Sequence, residues 1–185
     1  MGPTPLQCPP LGPDNWPEKI ADMQTSFAGR LNVYRVMAHH PDLLRAWAPL
    51  RGHVVQTNVL GPQRSEVVIL RTGHRMGAAY EWAHHISRSR ACGMTDARIA
   101  SIAGPLDGMA ADDAVIAGAV DALIDRHRLS DAERGALAAQ VGTAGVFDVM
   151  ATVGFYSTLA YIVQTFDTPL DADVAAELAE RPLTP

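Results

Sequence analysis

Two consecutive stretches decide the fold class: Ser65-Glu66-Val67-Val68-Ile69-Leu70-Arg71-Thr72-Gly73-His74-Arg75-Met76-Gly77, and Ala78-Ala79-Tyr80-Glu81-Trp82-Ala83-His84-His85-Ile86-Ser87-Arg88-Ser89-Arg90-Ala91-Cys92-Gly93. Neither shows the sustained apolar/polar alternation of a half-buried strand; both read as helix bounded by glycine. Ser65 is expected to cap a short apolar helix from Glu66 to Arg71. Gly73 and Gly77 mark a kink or turn, and the next helix runs from Ala78 to Ala91 before Cys92-Gly93 stops it.

The same grammar extends both ways. Upstream, Ile20 to Ala38 reads as helix with a soft spot at Gly29, ended by His39-His40-Pro41 because the residue before proline avoids helical angles. Asp42 to Gln56 follows, interrupted by Pro49 and Gly52, and Leu60-Gly61-Pro62 breaks the chain. Downstream, Thr95 caps a helix to Ala103, and Asp112 or Asp113 opens one ending near Arg128, with acids first and bases last as the helix dipole prefers. Ser130-Asp131-Ala132-Glu133 is a capping box. Gly142 and Gly145 loosen the connection to a long uncharged helix, Val146 to Phe166, closed by Pro169. The expectation is an all-α bundle of about six to eight helices. Residues 1–18, rich in proline and without the basic start and apolar run of a secretory signal, read as an extended arm, and residues 19–185 as one helical domain.

Composition narrows the function classes. The 185 residues are 48% hydrophobic and 19% charged, as in an ordinary folded domain. A formal net charge of −5 gives no general electrostatic reason to bind nucleic acid or an anionic membrane. Cys8 and Cys92 alone make neither a disulfide framework nor a thiolate cage, which suits a reducing cytoplasm. Val149 to Phe166 is long enough to be tested as a membrane span. Its interruptions at Thr152, Gly154, Ser157, Thr158, Gln164 and Thr165, and its lack of basic flanks, favour burial within a bundle or between subunits.

The chemistry-bearing residues crowd into one region: Glu66, Arg71, His74, Arg75, Glu81, His84, His85, Arg88 and Arg90. Glu81 and His85, four apart, share a helix face, and a carboxyl beside an imidazole is the minimum equipment for moving a proton. Such pairs also decorate solvated helices, but Tyr80, Trp82, Ala83 and Ile86 imply an enclosed setting. Glu66 reads either as a second acid or as a dipole-favoured residue at a helix start. Arg71 reads either as a bidentate grip on a substrate carboxylate or as a structural partner of Glu66 or Glu81. His84 and His85 diverge by about 100° on a helix and do not share an ion easily. No His-Glu-x-x-His pattern, glycine-rich phosphate loop or serine elbow is present, so neither a metal nor a cofactor is expected.

The run from Glu66 through Tyr80-Glu81-Trp82-Ala83-His84-His85 to Ala91-Cys92-Gly93-Met94-Thr95, with the His40-Pro41 lead-in, resembles the carboxymuconolactone decarboxylase family, part of the alkylhydroperoxidase D-like superfamily. The resemblance implies that superfamily's helical bundle and a homo-oligomer, commonly a trimer or hexamer, with pockets near subunit interfaces. Thiol members carry Cys-x-x-Cys where this chain has Ala78 and Glu81, so the nucleophilic and resolving sulfurs are missing, while the flanking Glu66 and His85 remain.

What the resemblance leaves is the acid–base branch: a cofactor-independent enzyme decarboxylating a small carboxylated lactone or related anionic metabolite. His85 is then the principal acid/base, Glu81 its partner or second proton carrier and Glu66 a supporting acid. Arg71 is the anion clamp, and His74, Tyr80 and Trp82 are further substrate contacts. Isomerisation, hydration or lactone opening needs the same equipment. An alkylhydroperoxidase-type antioxidant using Cys92, or a non-catalytic oligomeric ligand-binding protein, are the alternatives.

Overall fold

Proline, glycine and side-chain caps set most of the observed helix boundaries. The structure, a computed structural model, describes residues 5–183 and contains no strand among them. Its α-helices are α1 (Phe27–Arg30), α2 (Asn32–Met37), α3 (Pro41–Gly52), α4 (Pro62–Arg75), α5 (Ala79–Ala91), α6 (Asp96–Ser101), α7 (Ala111–Arg126), α8 (Asp131–Thr165) and α9 (Ala172–Glu180). Six of these nine have nine or more residues. Pro41 and Pro62 open α3 and α4 with their preset φ, and the Ser130–Glu133 capping box opens α8.

Three boundaries differ from the sequence expectation. The run expected from Ile20 to Ala38 is a 3₁₀ turn at Glu18–Met23, then α1 and α2, because the Ser26 hydroxyl caps a fresh start at the Ala28 N–H and Leu31 is extended. Ser65 is not a cap: α4 starts at Pro62, and the Ser65 hydroxyl inside it donates to Asn58 Oδ1 at 3.0 Å. The segment expected to extend α3 to Gln56 widens into a π-helical turn, His53–Thr57.

Gly77, at φ +64°, makes the tight reversal from α4 into α5. Gly142, at φ +70° and ψ 174°, breaks α8 into two helical runs, which is the loosening its sequence suggests.

Two apolar clusters form the interior, and α8 serves both. Phe155, Leu159 and Val163 pack with Tyr34, Met37, Leu44 and Ile69, whereas Val146, Val149 and Val153 pack with Val67, Leu70, Ile116 and Val120. By length and composition α8 is apolar enough to cross a membrane, with 56% of its most apolar window buried in the fold. Its outer face exposes Phe147 and Tyr161, 67% and 60% accessible.

The proline-rich residues after Pro5 are pinned to α2 and its end. Leu11 exchanges hydrogen bonds with Arg35, and His39 Nε2 lies 2.8 Å from the Pro9 carbonyl. The first four residues of the expected arm lie outside the described residues. Helices α4, α8 and α9 pack around α5, and that enclosure positions the site.

Candidate active site

On α5, residues 81, 84 and 85 face inward because α4, α8 and α9 cover that side. Glu81, His84 and His85 are only 4%, 6% and 3% exposed. The helical spacing sets His85 Nε2 3.9 Å from Glu81 Oε2, too long for a direct hydrogen bond and near enough for a shared ligand atom or water. From α4, Glu66 Oε2 comes to 2.6 Å from His85 Nδ1 and also accepts from the Ser89 hydroxyl at 3.4 Å. With Nδ1–H donating to the Glu66 carboxylate, the neutral ring turns the lone pair of Nε2 toward Glu81.

Burial sets the protonation states. It pushes the Glu81 carboxyl up to about 8, only partly offset by the positive charge of Arg88, so the acid holds its proton at neutral pH. Its Oε1 is buried with no hydrogen-bond partner. Burial also lowers the His85 imidazole, although the Glu66 carboxylate pulls the other way, so the neutral base is favoured. An uncharged acid and an uncharged base thus stand one helical turn apart.

Two spaces that share wall residues adjoin this pair, an inner chamber on the Glu81 side and an outer cleft on the Glu66 side. An inner chamber of about 20 Å³ is lined by Glu81, His84, His85, Tyr34, Arg51 and Arg88 among others. An outer cleft of about 140 Å³ is lined by Glu66, Ser65, Gln56, His85, Arg88 and Tyr156 among others. His85, Arg88, Tyr156 and Val55 belong to both walls and form the threshold between them. Tyr156 meets the His85 ring edge-to-face at 5.0 Å, and burial raises its phenol well above the ordinary value.

The structure brings Glu66, Glu81 and His85 together, keeps Tyr80 in the chamber wall, and separates Arg71, His74 and Trp82 from them. Arg71 is a structural ion pair, not an anion clamp. Its Nε and Nη2 grip Asp121 at 2.8 and 2.6 Å, and Nη1 donates to the Ile102 and Gly104 carbonyls at 2.9 and 2.7 Å. Burial works against the Asp121 carboxylate, yet bonds from Arg71 and Arg75 hold its pKa below the usual range. The correct partner of Arg71 is therefore Asp121 rather than Glu66 or Glu81.

His74 and Trp82 also fall outside the site. They line a different cleft, with ring centres 5.9 Å apart, because they occupy the turn side of α4 and α5. Tyr80 reaches the inner chamber wall, but its hydroxyl donates to Asp171 Oδ2 at 2.5 Å and accepts from the Val33 N–H at 3.2 Å.

Sequence reasoning missed Arg51, Tyr34, Tyr156 and Asp171, and noted Arg88 without giving it a role. No local spacing points to the first four, which reach the site from α2, α3, α8 and the start of α9. Asp171 accepts from the Asn32 N–H at 3.0 Å, and its Oδ2 lies 2.9 Å from His84 Nε2, off the line of a hydrogen bond. Burial opposes ionisation of Asp171, but contacts with His84, Tyr80 and Asn32 outweigh it and lower its pKa.

Cys92 donates to the Ser89 carbonyl at 3.2 Å, and burial raises its thiol pKa, the reverse of an activated nucleophile. Among the described residues no three His, Cys, Asp or Glu side chains converge as a metal-binding group.

The all-α fold around this interior Glu–His–Glu constellation is of the alkylhydroperoxidase D-like type. Residues 41–125 match the model of the carboxymuconolactone decarboxylase family. The match contains α3, α4, α5 and nearly all of α7, and with them Arg51, Glu66, Glu81, His85 and Arg88.

Among solved structures, the fold is similar to a cysteine-to-alanine variant of the debrominase Bmp8 in complex with 2,3,4-tribromopyrrole. The TM-score is 0.74 at 15% identity over 95% of this chain and 97% of that one. It is similar also to apo Bmp8, with a TM-score of 0.74 at 14% identity over 94% and 96%. At that identity the likeness establishes the shared fold. No curated protein sequence matches the chain.

Proposed function

We propose that the protein is a cofactor-independent acid–base enzyme that decarboxylates a small carboxylated lactone or a related anionic metabolite. The observation carrying this reading is the buried Glu81, with one oxygen unpartnered, beside a buried His85 whose Nδ1 lies 2.6 Å from Glu66. Arg88, at the threshold of both spaces and without an ion-pair partner among the described residues, takes the orienting role that the sequence gave to Arg71.

In the proposed step the bond from the carboxylate carbon to the lactone breaks, carbon dioxide leaves, and the electron pair spreads into the unsaturated ring. Glu81 O–H then supplies a proton to carbon. A solvent proton arriving through His85 Nε2 restores the acid, while the Glu66 carboxylate stabilises the transient imidazolium. Each turnover consumes one proton, with Glu81 as the proton donor to carbon and His85 as the group that reprotonates it.

Carbon dioxide release and proton uptake, measured with carboxylated lactones on the wild type and on Glu81→Gln and His85→Gln, test the proposal. Unchanged turnover in both variants removes the site. Lactone opening without carbon dioxide release replaces decarboxylation with hydrolysis.

A homo-oligomer is part of the same reading, supported by the uncharged outer face of α8 around Phe147, Met150 and Tyr161. Light scattering of the wild type and of Tyr161→Lys tests it: a monomeric wild type refutes it.

A further inference from the structure

The inner chamber has a composition unlike the rest of the molecule. Arg51, at the end of α3, is 8% exposed, and its Nε is buried with no hydrogen-bond partner. Its guanidinium lies 4.0 Å from the centre of the Phe27 ring and 5.6 Å from that of Tyr34. Aromatic faces hold a guanidinium in place without consuming all of its N–H donors. Arg88 enters the same chamber from α5. Neither arginine forms an ion pair with a carboxylate among the described residues, although most of the chain's other cationic side chains do.

The chamber's one lining carboxyl is Glu81, whose Oε1 is buried without a hydrogen-bond partner. Glu66 lines only the outer cleft, and Asp171 is engaged by Tyr80 and the Asn32 N–H. Two cations therefore face a space with no free anion of the protein's own. A chamber of about 20 Å³ holds no more than the carbon and two oxygens of a carboxylate and excludes a ring, whereas the adjoining cleft of about 140 Å³ has room for more.

We propose that the inner chamber is a socket for a carboxylate group of the substrate, with Arg51 as its specificity-determining residue. This rests on the acid–base reading for the word substrate, but the socket itself is a binding site with its own test. A carboxylate seated there accepts from Arg51 and Arg88, leaves the body of the molecule in the outer cleft, and brings the atoms between them to the His85–Tyr156 threshold. The socket thus selects compact molecules whose carboxylate projects from a ring or short chain, and rejects neutral analogues of the same shape, because entry without an anion leaves both guanidinium groups unpaired.

Calorimetric titration of the full-length protein with sodium acetate, and separately with sodium chloride, tests the assignment without turnover. Acetate is expected to bind, with chloride weaker. Arg51→Gln is expected to weaken acetate by about 10- to 100-fold. Arg51→Lys, which retains the charge, is expected to lose less, and it stands in if the glutamine variant does not fold; circular dichroism checks both. Acetate affinity unchanged in folded Arg51→Gln, or equally lost in folded Arg51→Lys and Arg51→Gln with no charge dependence, overturns the socket. Chloride binding as tightly as acetate overturns the carboxylate assignment. Acetate binding that persists while no carboxylated lactone turns over removes the acid–base reading and leaves the socket standing.

Discussion

Two clusters of charge from neighbouring stretches of sequence reach opposite ends in the fold. Around Arg71, every guanidinium nitrogen finds an acceptor: Asp121 takes two bonds, the Ile102 and Gly104 carbonyls take two more, and Arg75 adds a contact to Asp121 at 2.8 Å. Around Glu81, partners are missing: Oε1 has none, His85 Nε2 stops 3.9 Å short of Oε2, and Arg51 and Arg88 face a chamber rather than a carboxylate. Both clusters are largely buried. The first is complete and holds α4 to α7; the second is incomplete and has capacity to bind and react. Burial of charge alone does not mark a functional site; the proposed site rests on burial combined with unspent hydrogen-bonding capacity beside a cavity.

The comparison breaks most directly if the two clusters respond alike to mutation. In the reactive cluster, His85→Gln is expected to lower turnover by about 10²- to 10⁴-fold while leaving the melting temperature within a few degrees. An equal loss of stability and rate would make His85 structural. In the complete cluster, Arg71→Ala strands Asp121 and two carbonyls, and is expected to cost about 3–5 kcal/mol in denaturant unfolding. Catalytic loss in Arg71→Ala without destabilisation would restore the clamp that the sequence suggested.

Acidity sharpens the contrast next. Folding raises the Glu81 pKa to about 8, so its contribution to stability is complete below its unfolded value and disappears as pH climbs through about 8. The depressed His85 behaves oppositely: its contribution is present above the unfolded value and is lost as pH falls through the folded one. Melting curves of the wild type against Glu81→Gln are expected to converge below the unfolded carboxyl pKa and to separate as pH rises from there through about 8, with the variant less sensitive to alkali. The wild-type rate is expected to fall over the same alkaline range as Glu81 ionises. The smallest effect belongs to a position remote from both clusters. Ser130→Ala removes the α8 cap and is expected to cost about 1 kcal/mol in thermal unfolding with unchanged turnover.

Local signals carried much of the fold. Pro41, Gly77 and the Ser130–Glu133 box marked turns and starts that the structure contains, because each acts through its own backbone angles or hydrogen bonds within a few residues. The same kind of reading failed at Ser65, where Pro62 opened the helix a turn sooner, and at Ile20 to Ala38, where Ser26 and extended Leu31 divide one expected helix. At the site, Glu81 and His85 were legible from their four-residue spacing. Glu66 was legible as an acid and through the family resemblance, without its 2.6 Å contact to His85.

The partners of Arg71 and Arg51 were not legible. Asp121 lies 50 positions beyond Arg71, and the Phe27 ring that supports Arg51 comes from a separate helix. Arg71 and Arg88 each offer the same fork in the sequence, and only packing shows which fork is filled.

The amino-acid order by itself determined that the chain is helical, where most helices start and stop, and that an acid and an imidazole share one face of α5. Those properties follow from backbone angles and helical periodicity, which act over a few residues. Tertiary structure alone decided that this face is dry, that Glu66 locks the imidazole, that Arg71 is spent on Asp121, and that Arg51 and Arg88 remain available. Protonation state and hydrogen-bonding capacity depend on which distant groups exclude water and which supply partners, and only the folded chain brings those groups together.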